Sequence, residues 1–114
     1  MTHDFRARVP FDFETRRQYL ELPFPRSEYE SRIKKIRQMM EQNGVSALVA
    51  FGDQNDFGNL TYLAAFEPMI GRGAVIVTPN AVSLVTDSTF HGEPMHSLIW
   101  KTWVEDVTIT QASL

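Results

Sequence analysis

Two histidines and a glutamate lie close together near residue 90, and such side chains are common metal ligands. His91, Glu93 and His96 belong to the stretch His-Gly-Glu-Pro-Met-His. The histidines lack the i, i+4 spacing of zinc-binding helices, and Pro94 interrupts any helix that would join them. No pattern supplies the remaining ligands. The sequence therefore favours a structural or surface role for this cluster.

A second polar group follows an apolar run. Asp53, Asn55 and Asp56 stand where α/β sheets often bind ligands. The neighbouring glycines, Gly52 and Gly58, form neither a dinucleotide-binding nor a P-loop fingerprint, so we predict a turn. No serine lies in a Gly-x-Ser-x-Gly elbow, and the sequence contains no cysteine. Serine-hydrolase and thiolate chemistry are therefore excluded for this chain.

Arg72 is a candidate for binding an anion. It follows Gly71 and precedes a predicted strand, and a planar guanidinium can hold a carboxylate through two parallel hydrogen bonds. The alternative is a solvated arginine at the entrance to the strand. Both interpretations stay open at the level of sequence.

Composition places these residues in one globular domain. The chain has 114 residues, of which 43% are hydrophobic and 22% charged, and it has no apolar run of the length that spans a membrane. The first residues lack the features of a secretory signal, so a cytoplasmic location is expected. The net charge of −3 argues against nucleic-acid binding. The basic residues concentrate before residue 38, which we attribute to a solvated helix face and a mobile arm.

The first predicted helix has clear signals at both ends. Ser27 and Glu30 form a capping-box pattern at its start, and Asn43-Gly44 supplies a left-handed stop. Between them, one apolar stripe is predicted at spacings of four, three and four residues: Tyr29, Ile33, Ile36 and Met40.

The remaining elements follow from β-branched and apolar runs. Residues 45–51 are almost continuously apolar, which predicts a central strand covered on both faces. Residues 73–78 and 82–86 predict a hairpin, and residues 107–110 a last strand. Pro94 suits the first turn of a short helix over residues 94–103. Trp100 and Trp103 would lie on one side of this helix, where they would either pack in the core or contact another domain. The predicted fold is α/β, with a mixed β-sheet flanked by helices.

These elements resemble the amino-terminal domain of the creatinase and Xaa-Pro aminopeptidase family, over roughly residues 24–110. The family pattern has an aromatic residue, Glu-Tyr, an arginine one turn later, a helix ending near glycine, and a strand. The matching residues here are Phe24, Glu28-Tyr29, Arg32, Gly44 and Val45-Ser46-Ala47-Leu48-Val49.

Two later segments extend the resemblance. Residues 59–66, Asn-Leu-Thr-Tyr-Leu-Ala-Ala-Phe, match the family's Asn-Ile-x-Tyr-Leu-Thr-Gly-Phe, except that Ala64-Ala65 replaces Thr-Gly. Ile70-Gly71-Arg72 is similar to the aromatic-Gly-Arg triplet of creatinase, with Ile70 in place of the aromatic residue. The loss of the glycine leaves the backbone path of the first segment open.

The resemblance implies an α/β domain with a ribonuclease H-like motif and a non-catalytic role in dimerisation and substrate gating. The candidate substrate-binding residues would be Arg72, Ile70 and Phe66. They would act in trans, at the active site of the other subunit of a homodimer. Catalysis would belong to a carboxyl-terminal pita-bread domain, which this sequence does not contain. That domain holds two divalent metals (Mn, Co or Zn) in the peptidases and none in creatinase. No cofactor is expected in this chain.

The chain is expected to divide into two parts. Residues 1–25 show no sustained periodicity and would form an extended amino-terminal arm, with one helical turn around residues 14–20. The resemblance makes residues 26–114 the family-type domain, which would be incomplete at its end. The expected partners are a second copy, the missing catalytic domain, and a small-molecule or peptide substrate, with no nucleic acid and no membrane. The alternative is a stand-alone binding or interaction module that has lost the catalytic half.

Overall fold

A computed structural model describes residues 6–8, 22–68, 71–87, 89–90, 93–94 and 102–110. In chain order the elements are β1 (Arg6–Arg8), α1 (Arg26–Gln42), β2 (Leu48–Asp53), α2 (Gly58–Ala64), β3 (Arg72–Val77), β4 (Val82–Thr86), β5 (Thr89–Phe90), β6 (Glu93–Pro94) and β7 (Asp106–Thr110). The predicted α/β class with a mixed sheet is confirmed. Neither helix within these ranges is long and apolar enough to cross a bilayer.

Five strands form the main sheet in the order β1-β7-β4-β3-β2. Strands β2, β3 and β4 are antiparallel neighbours, β4 and β7 are parallel, and β1 is antiparallel to β7. β5 and β6 form a separate two-stranded sheet. The parallel pair requires a crossover from β4 to β7, which the segment between them provides.

The N-cap of helix α1 lies two residues earlier than the capping box predicted. Pro25 occupies the N-cap position and makes no side-chain cap bond. Its carbonyl accepts the N–H of Glu28 at 2.9 Å, so Ser27 already lies inside the first turn and cannot cap it. The carboxylate of Glu30 instead accepts a bond from Arg26 Nε at 2.9 Å.

The apolar stripe and the stop of α1 are confirmed. Tyr29, Ile33 and Met40 are buried. Gly44 has φ +65°, and its N–H donates to the Glu41 carbonyl at 3.3 Å, while that of Val45 donates to the Met40 carbonyl at 2.8 Å. This bond pair is a Schellman motif, which satisfies the last carbonyls of the helix and turns the chain toward β2.

The prediction that residues 45–51 form a central strand covered on both faces is wrong. β2 covers residues 48–53 and lies at an edge of the sheet. Leu48 and Ala50 turn toward the core, whereas Val49 is 47% and Phe51 72% exposed. The buried residues of the sheet share the face against which both helices pack, so the alternate residues of β2 remain outside.

The hairpin and the last strand are confirmed. β3 and β4 pair from Gly73↔Thr86 to Val77↔Val82, and the Thr78 N–H donates to the Ala81 carbonyl at 2.9 Å across the turn. In β7, Val107 and Ile109 are buried and alternate with more exposed residues.

The helix predicted over residues 94–103 is wrong at both of its described ends. Pro94 lies in β6, where it pairs with Thr89, and residues 102–104 are not helical. The remaining residues of that prediction, including Trp100, lie outside the described residues. Tertiary contacts decide the conformation at Trp103, whose side chain is buried and stacks on Tyr29 with ring centroids 6.2 Å apart.

Trp103 packs in the core, as one of the two predictions for it stated. Its indole Nε1–H donates to the Leu63 carbonyl at 2.7 Å, and Thr102 Oγ1 donates to the Ala64 carbonyl at 2.5 Å. These carbonyls belong to the last turn of α2, where no intrahelical donor follows. The crossover before β7 therefore fixes the end of α2 as well as filling the core.

Part of the predicted amino-terminal arm is a strand. Residues 6–8 pair with residues 108–110 of β7. The sequence showed no periodicity there because three residues are too few to establish one, and their partner is far away in the chain. The helical turn predicted around residues 14–20 lies outside the described residues.

Candidate functional site

Arg72 is the first residue of β3, at one end of the sheet. Its backbone N–H donates to Asp87 Oδ1 at 2.7 Å, and its Nη2 lies 3.4 Å from Asp87 Oδ2. The hairpin register places these residues side by side, because Asp87 directly follows Thr86, the partner of Gly73. The Arg72 side chain is 51% exposed. Asp87 therefore holds a half-exposed guanidinium in a defined place.

Gly71 makes this arrangement possible. It has φ +104°, and a Cβ at this position would lie 2.6 Å from Asp87 Oδ1. A larger residue would meet both backbone strain and a direct clash with the carboxylate. The Gly-Arg pair that drew attention in the sequence is thus explained by the local hydrogen bonds to Asp87.

The polar group at residues 53–56 is a turn, as predicted. Asp53 Oδ1 accepts the backbone N–H groups of Asn55 and Asp56, both at 2.8 Å. Gln54 connects this turn to Gly71 by two bonds, donating its N–H to the Gly71 carbonyl and accepting the Gly71 N–H on Oε1, both at 3.1 Å. The turn therefore holds the backbone of Gly71, which directly precedes Arg72.

A shallow groove of about 240 Å³ lies beside Arg72. The side chains of Phe51, Ala74 and Val85 share the outer face of the sheet, since these residues oppose one another in the strand register. Typical small-molecule sites are larger and more enclosed. The chemistry of this groove is limited to stacking on the Phe51 ring and to anion binding at Arg72, in competition with Asp87.

The other two candidate substrate-binding residues occupy different places. Phe66 has no exposed surface and belongs to the core cluster. Ile70 lies outside the described residues. The structure thus leaves Arg72 at the surface and Phe66 in the interior. Sequence reasoning missed Phe51, whose exposure would have followed from strict alternation along β2.

The metal-ligand candidates gain no support from the described part of the chain. His91 and His96 lie outside it, and Glu93 belongs to β6. Across the described ranges, no group of three histidine, aspartate or glutamate side chains is arranged to hold a metal ion.

Two arginines of α1 are structural, in contrast to the solvated face predicted for the basic residues. The Arg32 guanidinium lies over the rings of Tyr62 at 4.2 Å and of Phe24 and Tyr29, both at 5.2 Å. Its Nη1 donates to the Tyr62 carbonyl at 2.8 Å. Arg37 Nε donates to the Thr78 carbonyl at 2.9 Å. These cations join α1 to α2 and to the hairpin.

Comparison of the chain with protein-family models, with curated proteins and with solved structures gave no match.

Proposed function

We infer that this chain is the non-catalytic amino-terminal domain of a creatinase-like or Xaa-Pro aminopeptidase-like hydrolase, with roles in dimerisation and substrate gating. The basis is the ordered set of motifs over residues 24–110, together with an α/β fold that carries a mixed sheet. The finer assignment to the ribonuclease H-like fold of that family is part of the same proposal.

The observation that carries this proposal is the backbone at Ala65. Ala65 caps α2 with φ +55°, in the left-handed region. This is the position at which the family pattern has the glycine of Thr-Gly. Residues with a Cβ rarely adopt a positive φ, and glycine is the residue expected there. A conformation suited to glycine, at the position that corresponds to the family's glycine, supports the alignment of this segment.

Exposed apolar surface is a second support. A domain that normally packs against a catalytic domain and a partner subunit should carry apolar side chains that remain uncovered when it stands alone. Phe51 and Tyr62 are 72% and 52% exposed. The alternative function, a stand-alone interaction module, also accommodates this surface.

Arg72 keeps its proposed role of binding a substrate carboxylate in trans, with Ile70 beside it. The exposed half of its side chain supports this role, whereas the contact with Asp87 means that a ligand would have to compete for the guanidinium. Complete burial suits Phe66 to supporting the site from the core. In a peptidase parent, the two divalent metals would belong to the catalytic domain.

The test is the intact mass and the activity of the native polypeptide, captured from its source with an antibody against this domain. A species of roughly 40 to 45 kDa, two to three typical domain lengths, that hydrolyses creatine or Xaa-Pro peptides would support the proposal. A species with the 13.1 kDa mass of this chain and no hydrolase activity would favour the stand-alone module.

A further inference from the structure

The exposed large apolar side chains gather around β2. The described residues include six of them, and five flank this strand or lie on it: Met39, Val45, Val49, Phe51 and Tyr62. Single apolar residues on a protein surface are ordinary, but a group of them gathered along one edge of a sheet points to an interaction site.

The backbone of β2 specifies what kind of partner would fit. In the part of the chain that the structure describes, β2 pairs with β3 on one side and with no strand on the other. Its sequence, Leu-Val-Ala-Phe-Gly-Asp, contains no lysine, arginine or proline, the residues that usually protect an edge strand. Backbone N–H and C=O groups along such an edge are satisfied best by another extended strand.

The surface around β2 is complementary to itself. At the Leu48 end, a groove of about 220 Å³ lies between Met39, Met40 and Val45. Toward the other end, Tyr62 of α2 is 52% exposed on the helix side of the sheet, whereas Val49 and Phe51 lie on the outer face. A two-fold axis through the middle of β2, perpendicular to the sheet, would place Tyr62 of each copy toward the groove of the other, and Phe51 of each copy beside Val49 of the other, as a symmetric interface requires.

We propose that β2 pairs with β2 of a second copy of this chain, antiparallel and centred on Ala50, to form one continuous sheet across a two-fold axis. In this register Phe51 of each copy opposes Val49 of the other, an aromatic and β-branched pair that stabilises sheets. Asp53, the charged residue of the strand, opposes Ala47, so no like charges meet. The edge is therefore electrostatically compatible with its own copy.

This inference deepens the dimerisation part of the proposed function and rests on it for its biological setting. Its physical test needs only this chain. The two tests can fail independently. A chain that does not dimerise would say nothing against a native polypeptide of roughly 40 to 45 kDa with hydrolase activity, and a native polypeptide without a hydrolase domain would say nothing against the strand pairing.

The first experiment measures self-association by sedimentation equilibrium from micromolar to millimolar protein. The unmodified chain should form dimers. Val49→Lys places a charge in the β2–β2 contact and should raise the dimer dissociation constant at least about tenfold. Gln38→Lys adds the same charge at an exposed position of α1 and should leave that constant unchanged. A chain that stays monomeric, or equal association of the two folded variants, would overturn the proposal.

The second experiment determines the register, because a chain without cysteine allows single thiols to be placed at will. Opposed residues in antiparallel strands lie about 4.5–5.5 Å apart at Cα, within the range that a disulfide bridges. Val49→Cys mixed with Phe51→Cys should yield a disulfide-linked heterodimer under mild oxidation. Val49→Cys mixed with Gln38→Cys should not. Equal cross-linking in both mixtures would contradict the register.

Discussion

Arg32 illustrates how one side chain can organise the contact between two helices. Its guanidinium contacts three aromatic rings, bonds to the Tyr62 carbonyl, and lies 3.3 Å from the Glu28 carboxylate. Only 15% of the side chain is exposed, so these interactions are less screened than those of a surface ion pair. A flat, delocalised cation suits this position better than an ammonium group does.

Arg32→Lys should therefore lower the free energy of unfolding by about 1 to 2 kcal/mol, although the charge is kept. Chemical denaturation followed by circular dichroism would measure the change. Lys35→Arg, the reverse exchange at an exposed position of the same helix, should change the stability by less than about 0.5 kcal/mol. Equal effects of the two exchanges would show that the aromatic contacts contribute little.

The structure at Arg72 shows what residue types alone leave undecided. A guanidinium after glycine suggested either anion binding or a solvated strand entrance. The contact with Asp87 depends on the register of a hairpin, and the sequence predicted the hairpin without specifying which residues pair. The burial of Phe66 and the exposure of Phe51 likewise depend on which face of the sheet the helices cover.

At the scale of elements, predictions based on local signals succeeded. The stop of α1, the hairpin and β7 all follow from glycine, proline and alternation within a few residues. The central position of β2, the capping box at Ser27 and the helix at Pro94 were wrong. A continuous apolar run does not reveal whether one face or both will be covered, and proline is compatible with a short edge strand as well as with a first helical turn.

The junction between α1 and β2 offers a direct test of backbone conformation. Gly44 has a positive φ, and a Cβ there would meet no atom within 4 Å. Gly44→Ala should therefore lower the free energy of unfolding by about 1 kcal/mol through strain alone.

Gly58 provides the matched control for this substitution. A Cβ at Gly58 would also enter open space, and its φ is not in the left-handed region. Gly58→Ala should leave the stability unchanged or raise it by about 0.4 to 1 kcal/mol. A loss of the same size in both variants, measured by thermal or chemical unfolding, would contradict the role assigned to the Schellman turn.

At the scale of the whole molecule, β1 gives β7 a second strand partner. Deletion of residues 1–8 should therefore increase amide hydrogen exchange at those β7 amides that face β1, by about tenfold or more. Exchange in β2 and β3, on the opposite side of the sheet, should change little. Uniformly faster exchange across all strands would instead indicate general destabilisation of the fold.

The pairing of β1 with β7 also has a consequence for the order of folding. Arg6 lies opposite Thr110, so the first strand finds its partner only after nearly all of the described chain has been synthesised. The segment from α1 to β4 has its local contacts earlier and can collapse on the ribosome while residues 6–8 are still unpaired. Contacts between such distant residues slow folding, because loop closure precedes any gain from pairing. A nascent chain that has not yet reached Asp106 would therefore expose β4 as an open edge beside β2, and chaperones would meet a strand that β7 covers in the finished sheet.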